Sequence, residues 1–233
     1  MVGDMSRLTT LQHSQSRPAV PYAVRIGESV RKRLLDNPHV VQLPSQAVDL
    51  FLIRDFLDLM SCLALIDMIE RDHSPSTLLQ KAEDEEFRTS STCYLNRENR
   101  IVRALEDRLE TLTGIPLAHG ETIQGQRYVG GQQFKPHNDY FHRGTTYWDK
   151  EQTRGGQRTW TVMICLNDVE RGGHTRFPLL DLEIAPKRGN AIAWNNLDCL
   201  ARPNPMTLHQ GMPVELGQKF IITKWYRERH YSA

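Results

Sequence analysis

The chain has 233 residues, 24% of them charged, and 29 Lys plus Arg against 28 Asp plus Glu leave a formal net charge of +1. That length is ample for one domain with a real core, and the balance excludes the basic stripe of a nucleic-acid binder and an acidic tail for a charged partner. No apolar run is long enough to span a bilayer and the N-terminus lacks a basic-then-apolar pattern, so we expect a soluble, cytoplasmic protein with no membrane partner.

Residues 1–20 are polar and aperiodic and are expected to form a mobile tail. Residues 21–233 are expected to form a single domain, with a helical part over about 21–120 and a β-rich core over about 121–230. In the first part Val24, Ile26, Val30, Leu34 and Leu35 suggest a short helix that Ser29 could cap. Val48 to Phe56 reads as a strand. Asp58 is a plausible N-cap for a helix of about fourteen residues whose core stripe is Leu59, Leu63, Ile66 and Ile69. Residues 73–86 read as a loop. A second helix over roughly 98–113 presents Ile101, Leu105, Leu109 and Leu112, and Thr113-Gly114-Ile115-Pro116 ends it.

From Glu121 the texture changes to short alternating runs broken by Gly, Pro, Asn and Asp. Candidate strands are 121–129, 132–136, 159–167, 183–186, 190–194, 205–210 and 219–226. The fold class is therefore α+β, mainly β: a jelly roll with the N-terminal helices packed on one side. The four cysteines, Cys62, Cys93, Cys165 and Cys199, form no CxxC pair; Cys62 and Cys165 lie in apolar runs and read as buried thiols of a reducing compartment. Trp160 and Trp194 read as core or barrel-wall residues.

The chemistry lies in His137-Asn138-Asp139. Residues two apart on a strand share a face, so one imidazole and one carboxylate project together. A second imidazole would complete a two-histidine, one-carboxylate triad, the ligand set of non-haem Fe(II) oxygenases. His209, just before a hairpin-like Gly211-Met212-Pro213, is the candidate. Lys219 opens a strand on which Lys219, Ile221, Thr223 and Trp225 share one face and Phe220, Ile222, Lys224 and Tyr226 the other, so one lysine must point inward. A buried ammonium needs an anion, and a bound dicarboxylate would supply one. The turn-rich block Glu170–Pro178 places Thr175 near the same barrel end. His142 and His174 read as loop and turn residues. A zinc hydrolase and a cupin-like protein with a structural metal remain open on these residues alone. The first lacks an obvious nearby Glu as general base, and the second gives Lys219 no purpose.

The run from Tyr128 to Phe141, with Gly155-Gly156-Gln157-Arg158, Leu166–Glu170, Gly172-Gly173, His209–Val214 and Gly217-Gln218-Lys219 through Lys224-Trp225, resembles the ordered motifs of 2-oxoglutarate/Fe(II) dioxygenases of the prolyl 4-hydroxylase group. Phe87–Ser91 is similar to a further segment, and the resemblance covers about residues 48–229. It implies a double-stranded β-helix with His137, Asp139 and His209 as iron ligands and catalytic residues. Lys219 would pair with the distal carboxylate of 2-oxoglutarate, and Tyr128 and Thr175 would add hydroxyl contacts. Arg158, Trp225 and Phe134 would line the substrate groove. O2 is the co-reactant, ascorbate the reductant, succinate and CO2 the by-products. The implied substrate is proline in a peptide or protein, with a free amino acid or other small molecule as the alternative. An open groove with mobile loops at 73–95 and 140–157 would favour the peptide. Asp139 favours hydroxylation, because related halogenases lack this carboxylate. Three positions depart from the group: His174 replaces a usual acid, Cys165 replaces a frequent Tyr, and Phe134 replaces the Tyr of some peptide-acting members.

Overall fold

The computed structural model describes residues 21–77 and 87–232, so the expected N-terminal tail and most of the 73–86 loop lie outside the described residues. Helix α1 spans Tyr22–Leu35 and buries Gly27, Val30 and Leu34. Ser29 falls in its middle and caps nothing: the apolar period runs straight through it, and burial of that face overrides a capping preference. Strand β1, Val40–Gln42, pairs antiparallel with β2, Leu50–Ile53, a shorter strand than the Val48–Phe56 run suggests.

Helix α2, Leu59–Arg71, starts as expected, with the Asp58 carboxylate accepting the Ser61 N–H at 2.7 Å. Its buried face is Cys62, Leu65 and Ile69, whereas Leu59 and Leu63 are 47% and 49% exposed. Two apolar stripes compete on this helix, and contact with the sheet selects between them. Ile69 lies against Gly125, where an added Cβ would come within 2.4 Å of Ile69 Cγ1. Strand β3, Ser74–Pro75, follows within the described start of the expected 73–86 loop, and β4, Ser91–Tyr94, comes after it. Helix α3, Arg100–Thr113, is capped by the Asn99 side chain and ends at Gly114 in the left-handed region (φ 70°). Leu105, Leu109 and Leu112 are buried as expected, and Ile101 packs on the core partly covered.

The β-rich part comprises β5 (Gln124–Tyr128), β6 (Phe134–His137), the short helix α4 (Trp148–Thr153), β7 (Arg158–Cys165), β8 (Arg171–Gly172), β9 (Thr175–Phe177), β10 (Leu182–Ile184), β11 (Ala191–Asn195), β12 (His209–Gly211), β13 (Val214–Leu216) and β14 (Lys219–Arg227). The strand expected at 205–210 begins only at His209. A 3-10 turn occupies Pro205–Thr207 because Pro205 cannot donate to a ladder and the Asn204 side chain accepts the Met206 N–H at 3.1 Å. Gly211-Met212-Pro213 is not a hairpin either, since β12 pairs with β6 and β9 while β13 pairs with β8.

An eight-stranded antiparallel sheet, in the order β1-β2-β11-β7-β14-β5-β4-β3, faces a four-stranded sheet, β10-β9-β12-β6. Strict alternation sorts the large sheet's side chains. Trp160, Val162, Ile164, Ala193, Phe220, Ile222 and Tyr226 join α1, α2 and α3 in one apolar cluster; Met163, Cys165, Ile192, Trp194 and Ile221 join Tyr128 and Phe177 in another between the sheets. This is a β jelly roll with helices on one side. Both lysines of β14 are buried, where the sequence required only one to be. Lys224 points out towards the helices, donating to Glu106 Oε1 of α3 at 2.7 Å and to the Glu121 carbonyl at 2.6 Å. It fits because position 120 is glycine: a Cβ there would lie 2.4 Å from Lys224 Cε and 2.6 Å from Nζ. Among the described residues no helix is long and apolar enough to cross a membrane.

Candidate metal centre

Strands β6 and β12 are antiparallel neighbours in the small sheet, and His137 and His209 are directly paired in their register. Strand β6 ends at His137, so Asp139 lies just past the strand and not on it. The convergence survives: the nearest carboxylate oxygens of Asp139 lie 3.9 Å from His137 Nε2 and 3.9 Å from His209 Nε2. One donor atom from each of the three residues falls within 4.8 Å of the others, the single such group among the described residues. His137 Nδ1 lies 2.9 Å from the Lys135 carbonyl, and His209 Nδ1 lies 3.0 Å from the Thr207 carbonyl. A carbonyl only accepts, so each Nδ1 carries the proton and each Nε2 keeps a free lone pair aimed at the triad.

Aromatic rings hold both imidazoles. Phe134 stacks on His137 with centroids 3.5 Å apart, and the Trp194 edge meets His209 at 4.8 Å. Burial and the neighbouring His209 push the His137 pKa down to about 3, so that imidazole is neutral across the ordinary pH range. Burial opposes the charge on Asp139, but His209, His137 and Arg158 outweigh it and hold the carboxyl below the usual range. Thr161 Oγ1 donates to Asp139 Oδ2 at 2.8 Å. Two imidazoles and an ionised carboxylate, open on one side, suit a divalent iron with exchangeable positions.

Lys219 lies in the same recess, which His137, Asp139 and His209 line together with Gln126, Tyr128 and Thr175. Its side chain is buried, its ammonium donates to the Gly173 carbonyl at 2.6 Å, and burial pushes its pKa down. No carboxylate pairs with it among the described residues. An ammonium withdrawn from water without an anion costs several kcal/mol, so the recess is built for an acidic ligand. Among the described residues Thr175 Oγ1 has only the Met163 sulfur, 3.9 Å away, as an acceptor, so its hydroxyl can turn inward. The Tyr128 hydroxyl differs: it donates to Gln126 Oε1 at 2.9 Å, and its oxygen alone remains to accept.

Past the triad the recess opens into a groove of about 740 Å³, and Phe134, His137, Asp139 and Trp225 line both spaces. Arg158 and Trp225 form one wall, with the guanidinium 3.9 Å over the indole. Arg158 is not a free cation. It grips Glu121 through two bonds of 2.7 and 2.8 Å and reaches the Asp139 carbonyl at 3.4 Å. Buried Arg227 also contacts Glu121, and it holds Glu151 of α4 and the Gly156 carbonyl. Burial works against ionisation of Glu121, yet Arg158 and Arg227 keep its carboxyl below the usual range. Sequence reading passed over Glu121, Arg227 and Thr161. For Thr161 and Arg227 the signal was polarity on an interior strand; Glu121 lies before β5 and carried no such signal. The stretch 140–157, expected as loop, contains α4 and is tied to the barrel by this network. His142 is an exposed residue of the groove, as its loop reading implied.

A β jelly roll with this triad and a buried basic side chain beside it defines a 2-oxoglutarate-dependent non-haem iron oxygenase, and residues 123–227 match the family described as 2OG-Fe(II) oxygenase superfamily. The chain belongs to that superfamily, within its prolyl 4-hydroxylase group. It is 34% identical over 216 residues to Prolyl 4-hydroxylase 2 of Arabidopsis thaliana, covering 81% of this chain and 70% of that one. Among solved structures, the collagen prolyl hydroxylase of Paramecium bursaria Chlorella virus 1, in complex with 2-oxoglutarate, matches with a TM-score of 0.60 and 26% identity over 76% of this chain and 95% of that one. A Trichoplax adhaerens prolyl hydroxylase, bound to a peptide of the hypoxia-inducible factor, shares the fold with a TM-score of 0.61 and 16% identity over 88% of this chain and 90% of that one.

Proposed function

We propose that the protein is a prolyl 4-hydroxylase acting on proline within a peptide or protein. The observation that carries this reading is the triad standing between an anion-seeking recess and an open, aromatic groove. His137, Asp139 and His209 would hold the iron. Lys219 would pair with the distal carboxylate of 2-oxoglutarate as a compact point charge, Thr175 would donate to the same ligand, and Tyr128 would do so by turning its hydroxyl away from Gln126 Oε1. Bound iron and 2-oxoglutarate, with O2, supply the oxidant that hydroxylates an unactivated C–H bond, releasing succinate and CO2. Trp225, Tyr140, Phe141 and Tyr231 line the groove, and an aromatic-lined groove suits an extended proline-containing segment. Because its charge is committed to Glu121, Arg158 stiffens the wall and fixes the Asp139 backbone; it is no receptor for a substrate carboxylate. We assign ascorbate as the reductant that restores iron oxidised in unproductive turnovers. We assign the cytoplasm as the compartment, a reading supported by four free cysteines, three of them buried.

Under anaerobic conditions, iron-loaded protein with 2-oxoglutarate should develop a visible charge-transfer band. In air with 2-oxoglutarate, proline-containing peptides should gain one oxygen atom by mass spectrometry as 2-oxoglutarate is converted to succinate. Succinate and hydroxyproline from free proline, with peptides inert, would instead establish the small-molecule reading.

A further inference from the structure

Beneath Asp139 lies a run of hydrogen bonds whose direction is fixed by chemistry alone. Trp194 Nε1 lies 3.0 Å from Asn196 Oδ1, Asn196 Nδ2 lies 2.9 Å from Thr161 Oγ1, and Thr161 Oγ1 lies 2.8 Å from Asp139 Oδ2. An indole N–H can only donate, so the Asn196 carbonyl faces Trp194 and its NH2 faces Thr161. The Thr161 oxygen therefore accepts, and its own proton goes to the carboxylate. Thr161, Trp194 and Asn196 are each at most 1% exposed, so no water competes for these bonds. The backbone sets the spacing. Thr161 is the register partner of Trp194 on one side and of Trp225 on the other. Asn196, just past the end of β11, is held by its own N–H on the Thr159 carbonyl at 2.7 Å.

We infer that Thr161, Asn196 and Trp194 are positioning residues that select the metal-binding oxygen of Asp139 and raise iron affinity. The inference rests on the triad as the iron site. Thr161 occupies Oδ2 with a charge-assisted bond. Oδ1, 3.9 Å from His137 Nε2, is the oxygen left to the metal, with the Trp225 indole as the carboxylate's other neighbour. Trp194 also meets His209 with its ring edge, so one side chain steadies two ligands. Outer partners of this kind typically alter metal affinity by about 10- to 100-fold.

The test is the Fe(II) dissociation constant of the purified full chain, measured anaerobically by chelator competition, together with the thermal midpoint without metal. Thr161→Val should raise the constant at least about tenfold, and Thr161→Ser, which keeps the hydroxyl, should restore it. Trp194→Phe retains the ring but frees the Asn196 amide to turn over. It should weaken binding by a few fold and serves as the informative variant if Thr161→Val does not fold. A purely structural role would lower the midpoint and leave the constant unchanged. Binding within twofold of wild type in folded Thr161→Val, or in Trp194→Phe if that is the variant that folds, would overturn the inference. Failure of the wild type to bind Fe(II) would overturn the triad assignment and this inference with it.

Discussion

Strand β14 carries two buried lysines five residues apart, and they are opposites. Lys224 faces the helices and meets the Glu106 carboxylate and the Glu121 carbonyl. Lys219 faces the barrel interior and meets a single carbonyl. Burial pushes both pKa values down, but at Lys224 Glu106 works against that push, and at Lys219 no carboxylate does. A buried ammonium whose counter-charge is in the protein is architecture. One whose counter-charge is missing is a receptor, with its desolvation cost met when the ligand arrives.

The contrast can be broken experimentally, beginning at the metal. His137→Ala or Asp139→Ala should reduce succinate formation below detection while circular dichroism shows the fold retained; surviving turnover would mean the wrong ligands were chosen. Next, Lys219→Ala should raise the KM for 2-oxoglutarate about 100-fold, as loss of one member of a buried charge pair does. The ligand-free thermal midpoint should hold or rise, because an unpaired buried charge has been removed. Lys224→Met should do the reverse, costing about 3 kcal/mol of stability by leaving Glu106 with Arg97 alone, and leaving that KM nearly unchanged. If both substitutions moved the same quantity, the distinction between receptor and architecture would be lost.

The smallest effect concerns acid. His137 binds its proton near pH 3 in the fold against 6.5 as a free side chain. Between those values the unfolded chain takes up a proton that the folded chain does not, so stability of the metal-free protein should fall as pH drops through this window. Denaturant midpoints measured across it should fall less steeply in His137→Gln.

The same two lysines show what could be read from sequence. Period-two alternation placed Lys219 and Trp225 on one face of the last strand and Lys224 on the other, and both placements hold. The pairing of His137, Asp139 and His209 was legible because motif order constrains where distant strands meet, although Asp139 lies beyond the strand that was to carry it. What stayed hidden depends on three-dimensional neighbours. Residues 59–69 hold two apolar stripes, and only contact with Gly125 decides which is buried. Ser29 looks like a cap until the helix before it is packed. Arg158 lines the groove as expected, but the pairing of its charge with Glu121, far off in sequence, leaves no local pattern. Trp194 reads as an ordinary wall residue and Thr161 is passed over, because a hydrogen bond between strands leaves no trace in local pattern.

Gly120 is easily overlooked, since its backbone is of an ordinary extended kind (φ −87°). Its missing methyl group is what lets the lysine tip settle between helix α3 and the strand. Positions 120 and 224 should consequently drift as a pair through evolution: alanine at the first would push the lysine tip at the second off its present seat, so a descendant that carries it should favour another clasp between helix and barrel.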